Sequence, residues 1–387
     1  MPGGLPFIGN FFEVYPDHLG NQQRLFEQYG PVFKTTNMGR TINEAHPLYP
    51  IKNQEAGVFL GDTDTPEWRA AHKFLPPALG PKAVRHYAPM MQETIEDAFN
   101  VFDALDEKEE AWNVYQYMLK LGSQAVGKLV LGIDFKHFSS IDAPPHTLVA
   151  ESLELNKKVT AWGDLYAKLP FGDPQRLRNA RGRIFDTVNE SVQNAARGGV
   201  GSIQHDYAIR ATDNKGEKLP KTSLMQALPA RTAKVDLILP GGYKLPQDSI
   251  VIGALHHLHS NPEVWSNPAR FDPDHWDTEE VKNRHKAADM PFATGPRMCI
   301  GFNFALQEVK VFLPKLVYRY KFTRENDGHI EYDPMFQLIR PNNLYVRAKR
   351  RVKWPPRSDK SVLWLHCDVN VSTIMFGCLL PLSGFVL

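Results

Sequence analysis

Apolar residues recur at three- and four-residue intervals through much of the 387-residue chain, so the sequence reads as mainly helical. Leu25, Phe26 and Tyr29 give an amphipathic helix over residues 20–34, leading through Gly30 and Pro31 into a strand at Val32, Phe33 and Lys34. Met91, Ile95, Ala98, Phe102 and Leu105 form an apolar stripe over 83–105, and 115–131 carries another. Asp173 and Pro174 open a helix bearing Leu177, Ile184, Val188 and Ala195, ended by Gly198 and Gly199. Just after Gly301, Ala305, Val309, Phe312, Leu313, Leu316 and Tyr320 mark a helix with one inward face. Alternating stretches are few. Residues 235–239, a turn at Pro240, Gly241 and Gly242, and 243–252 read as strand, turn and strand, and 337–346 as a closing hairpin.

A chain with 42% hydrophobic residues can bury a large core, as one big domain or two smaller ones. Lys plus Arg number 45 against 43 Asp plus Glu, so no basic surface asks for nucleic acid. Three cysteines, Cys299, Cys367 and Cys378, make no disulfide framework, and a reducing, intracellular compartment is the simpler inference. The N-terminus, with Pro2, Gly3, Gly4 and Pro6, has neither a charged leader nor an apolar run long enough for a signal peptide or membrane span. Residues 361–387 are apolar but interrupted by His366, Asp368, Asn370 and Pro381, which argues against a stable span.

The chemistry gathers at Phe292, Gly295, Pro296, Arg297, Cys299 and Gly301. Glycine and proline fix this stretch as a loop, and Cys299 sits where the following helix begins. A thiolate there is favoured by the helix dipole and by free backbone N–H groups. One soft sulfur suits the axial position of haem iron better than a zinc cage or an iron–sulfur cluster. Arg297, two residues earlier, is placed to reach a haem propionate, and Phe292 to cover the ring on the sulfur side. Read alone, Cys299 is more simply a buried structural thiol. Upstream, Thr65 and Pro66 start a helix on which Trp68 and His72 lie four apart, two N–H donors suited to one carboxylate. That pair is also what an amphipathic surface helix carries. Arg231, ahead of the strands, fits either a third propionate partner or a surface arginine at a strand end.

The spacing of Phe292, Gly295, Arg297, Cys299 and Gly301 resembles the haem-binding loop of the cytochrome P-450 family, the haem-thiolate monooxygenases. The resemblance runs over residues 2–356 and looks most like the fatty-acid-hydroxylating group of fungal and bacterial enzymes. It implies a mainly α fold with a small β region, a triangular helical prism holding haem b (iron protoporphyrin IX). Cys299 is then the axial iron ligand, Trp68, His72, Arg231 and Arg297 propionate partners, Phe292 and Gly301 parts of the loop, and Leu338 a substrate-pocket residue. The implied reaction inserts one oxygen atom of O2 into a small apolar substrate with electrons from an NADPH-dependent reductase. Many family members sit at the endoplasmic reticulum, but the anchor that precedes the proline-rich hinge there is not visible in this sequence.

The sequence also departs from the family. The distal helix's Ala/Gly-Gly-x-Asp/Glu-Thr string, which delivers protons to bound dioxygen, is not found, and no Glu has an Arg three residues on. His275 stands where the family usually has Arg. Gln226 and Ala227 join a segment resembling the start of the distal helix to one the family places well over a hundred residues later. Residues 1–356 therefore read as a haem-thiolate domain with an internal deletion near 226–228, and 357–387 as an atypical tail. Three readings stay open: a working monooxygenase, a truncated product without activity, and a haem protein that uses peroxide or rearranges an oxygenated substrate.

Overall fold

The computed structural model describes residues 9–10, 13, 18–35, 66–143, 151–152, 154–155, 158–159, 164–196, 230–268, 270, 276, 278–325, 328–332 and 341–353. In chain order its main elements are α1 (His18–Tyr29), α2 (Pro66–Leu79), α3 (Pro81–Glu107), β1 (Trp112–Asn113), α4 (Val114–Val126), α5 (Gly172–Ala196), β2 (Ala230–Thr232), β3 (Leu237–Leu239), β4 (Tyr243–Leu245), β5 (Ile250–Ile252), α6 (Leu255–His259), α7 (Glu279–Asn283), α8 (Phe302–Arg319), β6 (Tyr320–Arg324) and β7 (Tyr345–Arg350). The mainly helical reading with a small β region holds. The chain divides into two compact units, one built around residues 1–46 and 228–298 and the other around 47–227, 299–333 and 338–387.

The larger unit packs α8 against α3. On α3 the buried positions are Val84, Tyr87, Met91, Thr94, Ile95, Ala98, Val101, Phe102 and Leu105, a stripe with helical spacing. On α8 they are Phe304, Ala305, Glu308, Phe312, Leu316 and Val317. Phe102, fully buried, lies with its ring 5.0 Å from that of Trp112 and 6.0 Å from that of Tyr320. Removing such a ring costs about 3–5 kcal/mol. Asn113 starts α4 by accepting from the Gln116 backbone N–H at 3.1 Å, and its Nδ2 donates to the Asn342 carbonyl at 3.0 Å. The last turn of this stretch loosens into a π-turn at Gly127–Leu131, closed by Gly132 at φ +65°. Gly127 has to be glycine there, because a Cβ would stand 2.6 Å from the Phe135 ring.

A three-stranded antiparallel sheet, in the order β1-β7-β6, caps this core. Val346 and Ala348 of β7 and Tyr320 and Phe322 of β6 point inward, alternating with Arg347, Lys349 and Thr323 outside. The sequence pattern picks out neither β1 nor β6, and it gives residues 337–346 as a hairpin. Residues 337–340 of that stretch lie outside the described residues; from Tyr345 the chain runs as β7, which pairs with β1 and β6, and Tyr332 and Pro341 form an isolated bridge.

In the smaller unit α1 stops at Gly30, φ +86°, whose N–H donates to the Phe26 carbonyl at 2.9 Å. The Phe26 ring meets Phe33 at 4.9 Å and His257 at 4.6 Å. Val32, Phe33 and Lys34 are not a strand: they pair with no neighbour among the described residues, and a strand is defined by its partner. The β3–β4 hairpin turns at Gly241 and Gly242, with φ of +87° and +80°, as expected. The expected single strand over 243–252 is broken by a turn at Pro246 to Asp248, and its second half, β5, pairs with β2. The 226–228 join, residues 357–387, His275 and Leu338 lie outside the described residues.

Candidate active site

Local chain chemistry sets the loop that leads to Cys299. Ala293 and Gly295 both take positive φ, +58° and +75°, and Pro296 follows in a 3-10 turn at Gly295–Arg297. Glycine adopts such a φ freely, whereas for alanine it is strained, so the Ala293 backbone is held by its surroundings. The turn closes with the Met298 N–H donating to the Gly295 carbonyl at 3.0 Å. Phe292 and Arg297 are both half-buried on this loop.

Cys299 itself belongs to the larger unit, at the start of α8. Its carbonyl accepts the Phe302 N–H at 3.4 Å, and the Gly301 carbonyl accepts that of Ala305 at 3.0 Å, so helix begins within three residues of the sulfur. Burial pushes the Cys299 thiol up, and the Gly301 backbone N–H directed at the sulfur pulls it part of the way back. The expected donor is therefore present, but desolvation outweighs it. A cation at the sulfur reverses that balance, since a coordinating thiol gives up its proton. Among the described residues no three His, Cys, Asp or Glu side chains converge on a metal. A metal that brings its remaining ligands with it, as iron in a porphyrin does, suits a single sulfur of this kind. The donor set fits haem in that respect.

Trp68 and His72 come together on α2 as the four-residue spacing implies, but not as two parallel N–H donors. Their rings stack, with centroids 3.8 Å apart and planes at 23°, and His72 Nδ1 lies 3.0 Å from the Trp68 carbonyl. A carbonyl only accepts, so Nδ1 carries the proton. In the neutral ring Nε2 is then a bare acceptor. It offers a hydrogen to a carboxylate only when the imidazole is charged. Arg231 lies at the middle of β2, its backbone paired with Val251 of β5. Its side chain, like all of Leu338, lies outside what is described.

Two side chains with a bearing on this region escape a sequence reading. Glu308, on α8, is 0% exposed, and burial raises its carboxyl well above the usual range. Asn303, in the first turn of α8, donates through Nδ2 to the Leu79 carbonyl at the end of α2, 3.2 Å away. Polar residues inside an otherwise apolar helical period are the available signal for the first. Nothing in the sequence marks the second.

Over a matched length of 473 residues this chain is 40% identical to the cytochrome P450 monooxygenase alnD of Emericella nidulans, with 92% of this chain and 85% of that protein covered. The chain belongs to the cytochrome P450 family. The family's sequence profile, described as Cytochrome P450, matches residues 217–347, which include the Cys299 loop. The probable cytochrome P450 6a14 of Drosophila melanogaster is 33% identical over 163 residues, 39% of this chain but only 31% of that protein. Among solved structures, the heme domain of cytochrome P450DA superposes with a TM-score of 0.71 at 20% identity, covering 91% of this chain and 96% of that one. A mutant of the same heme domain gives 0.72 at 19% identity, covering 90% and 96%. At such identities these likenesses establish the cytochrome P450 fold. Haem b is the prosthetic group of this family. The 473 matched residues exceed the 387 of this chain, so part of the relative's matched stretch has no counterpart here. Among the described residues no helix is long and apolar enough to cross a membrane.

Proposed function

We propose that this protein is a haem-thiolate monooxygenase that inserts one oxygen atom of O2 into a small apolar substrate, drawing electrons from an NADPH-dependent reductase. The observation that carries the reading is Cys299, a cysteine at the start of α8 with the Gly301 N–H on its sulfur. Cys299 would hold the haem iron through its sulfur. Trp68, His72, Arg297 and Arg231 would hold the propionates, Phe292 and Gly301 would shape the loop around the sulfur, and Leu338 would line the substrate pocket. When bound, haem would supply the oxygen activation. The work left to the protein is orientation, exclusion of water from the sulfur and delivery of protons.

Proton delivery is where this chain differs from its family, and a second reading follows. The acid–Thr string and the Glu-x-x-Arg pair are missing from the sequence, and the alnD match is longer than the chain. Both support an internal deletion near 226–228, which leaves residues 1–356 as a haem-thiolate domain of reduced or absent activity and 357–387 as a tail outside it.

The reduced, carbon-monoxide-treated absorption spectrum of the haem-supplemented protein tests the first reading, with Cys299→Ala beside it. A strongly red-shifted Soret band that disappears in the variant is the expected result, and a band shared by both overturns it. Sequencing the transcript across Gln226 and Ala227 tests the second. A longer transcript that restores both strings removes the deletion as a property of the protein.

A further inference from the structure

Helix α2, which carries Trp68 and His72, ends in an unusual way. The last four carbonyls of a helix lack partners within it and need outside donors. Here the usual solutions are closed. Gly80 has φ −71° instead of the left-handed turn that closes many helices, and Pro81 has no N–H to give. The final two carbonyls are capped by side chains from two other helices. Tyr87 of α3 donates its hydroxyl to the Ala78 carbonyl at 2.8 Å, and Asn303 of α8 donates Nδ2 to that of Leu79 at 3.2 Å. The two capping residues are themselves linked, since the Tyr87 ring lies 6.2 Å from that of Phe304, the neighbour of Asn303. Phe304 is fully buried, so this corner is packed as well as hydrogen-bonded.

Asn303 stands four residues after Cys299 and Leu79 seven after His72. We infer that Asn303 and Tyr87 are positioning residues, a clasp that fixes the first turn of α8, and with it the Cys299 sulfur, in register with the helix bearing Trp68 and His72. The inference rests on reading Cys299, Trp68 and His72 as the groups that hold haem. Only an amide or other donor serves at 303. A carboxylate of the same shape turns a hydrogen bond into a repulsion between two oxygens, which makes Asn303→Asp the sharpest probe.

The first measurement needs no haem. Iodoacetamide alkylation of Cys299 in the haem-free protein is followed by the mass of the peptide containing it, so Cys367 and Cys378 do not interfere. Asn303→Asp and Asn303→Ala are expected to raise the rate severalfold, and Asn303→Gln, which keeps the amide, to bring it back toward wild type. Arg319→Ala, at the opposite end of the same helix, lowers the melting temperature without raising the rate. In the haem-loaded protein, Asn303→Asp enlarges the fraction of the carbon monoxide complex lacking the red-shifted Soret band. Should Asn303→Asp not fold, Tyr87→Phe removes one hydroxyl and the other cap, with the same expectation. Wild-type rates in the Asn303 variants, or an equal rise in Arg319→Ala, overturn the clasp. Failure of the wild type to take up haem overturns the haem reading instead, while the alkylation comparison still decides the clasp.

Discussion

Tyr320, the first residue of β6, donates its phenol hydrogen to the carboxylate of Asp103 on α3, and Arg319 reaches the same carboxylate through both Nε and a terminal nitrogen. Arg350 at the end of β7 adds a contact at 3.3 Å. One acidic residue therefore joins α3, the end of α8 and both long strands of the sheet. Burial alone raises the Asp103 carboxyl, but the hydrogen bonds from Arg319 and Tyr320 and the charges of Arg319 and Arg350 outweigh it and hold it below its ordinary value. A lowered carboxyl stabilises the fold above the unfolded-state value and loses that contribution as pH falls through the folded one. Asp103→Asn is expected to destabilise by about 1–2 kcal/mol near neutral pH, since it weakens the bonds from the part-buried Arg319 and the buried Tyr320. Urea midpoints measured from pH 7 to pH 3 should show the gap between wild type and variant closing on the acid side.

Glu308 predicts the opposite trend. Neither carboxyl oxygen has a hydrogen-bond partner among the described residues, and burial raises the group well above the ordinary carboxyl range. The folded carboxyl thus keeps its proton to a higher pH than the unfolded one. Its contribution is whole below the unfolded-state value and drains away as pH rises through the folded value. Glu308→Gln, neutral at every pH, should be more stable than wild type by about 1–3 kcal/mol at pH 8 and close to equal at pH 4.5. Guanidinium unfolding at both values checks this, and a variant that is less stable at pH 8 contradicts it.

Lys120 is a milder case of the same physics. It is 5% exposed on α4 with its ammonium 4.7 Å from the Tyr117 ring centre, and burial lowers the amine although Asp142 opposes the shift. The burial cost is carried while the amine is charged and relieved as pH rises. Lys120→Met, which keeps the length and drops the charge, should be neutral or stabilising by about 1 kcal/mol at pH 7. Thermal unfolding of the pair decides it, and a fall of several degrees speaks for a partner that the charge needs.

His72 makes a prediction through its tautomer. With Nδ1 turned to the Trp68 carbonyl, the neutral ring has no hydrogen left for a carboxylate. His72→Arg, whose guanidinium always offers hydrogens, should therefore release haem to apomyoglobin several-fold more slowly than wild type at pH 8. An unchanged rate argues against His72 as a propionate partner.

How much of this was legible beforehand follows from where each constraint lies. The α3 and α8 stripes are local, one side chain every three or four residues, and their positions in sequence match the structure within two residues. Cys299 is legible for another reason: its loop is a contiguous string whose glycines, arginine and aromatic are each fixed by backbone geometry or ligand chemistry. The β1-β7-β6 sheet was not legible, because β1 is two residues long and takes its identity from β7, whereas the turn inside 243–252 did have a signal, Pro246, Asp248 and Ser249, that a single-strand reading passes over. Glu308 had a local signal, a polar residue set inside the Ala305–Phe312 apolar period, but its burial without a hydrogen-bond partner shows only in three dimensions. The stacking of Trp68 on His72 was half legible: the spacing gives the proximity, but only the rotamers give the lost nitrogen.

β7 is the central strand of its sheet and the last described element of the chain, and the Asn113–Asn342 hydrogen bond near it spans 229 residues of sequence. On a ribosome this order matters. Trp112 and the inner face of α3 are made early, yet the strand that covers them is synthesised more than two hundred residues later, leaving aromatic surface uncovered in the interval. Completion of the larger unit therefore waits on β7, and a nascent chain stalled before Tyr345 is the form most in need of a chaperone.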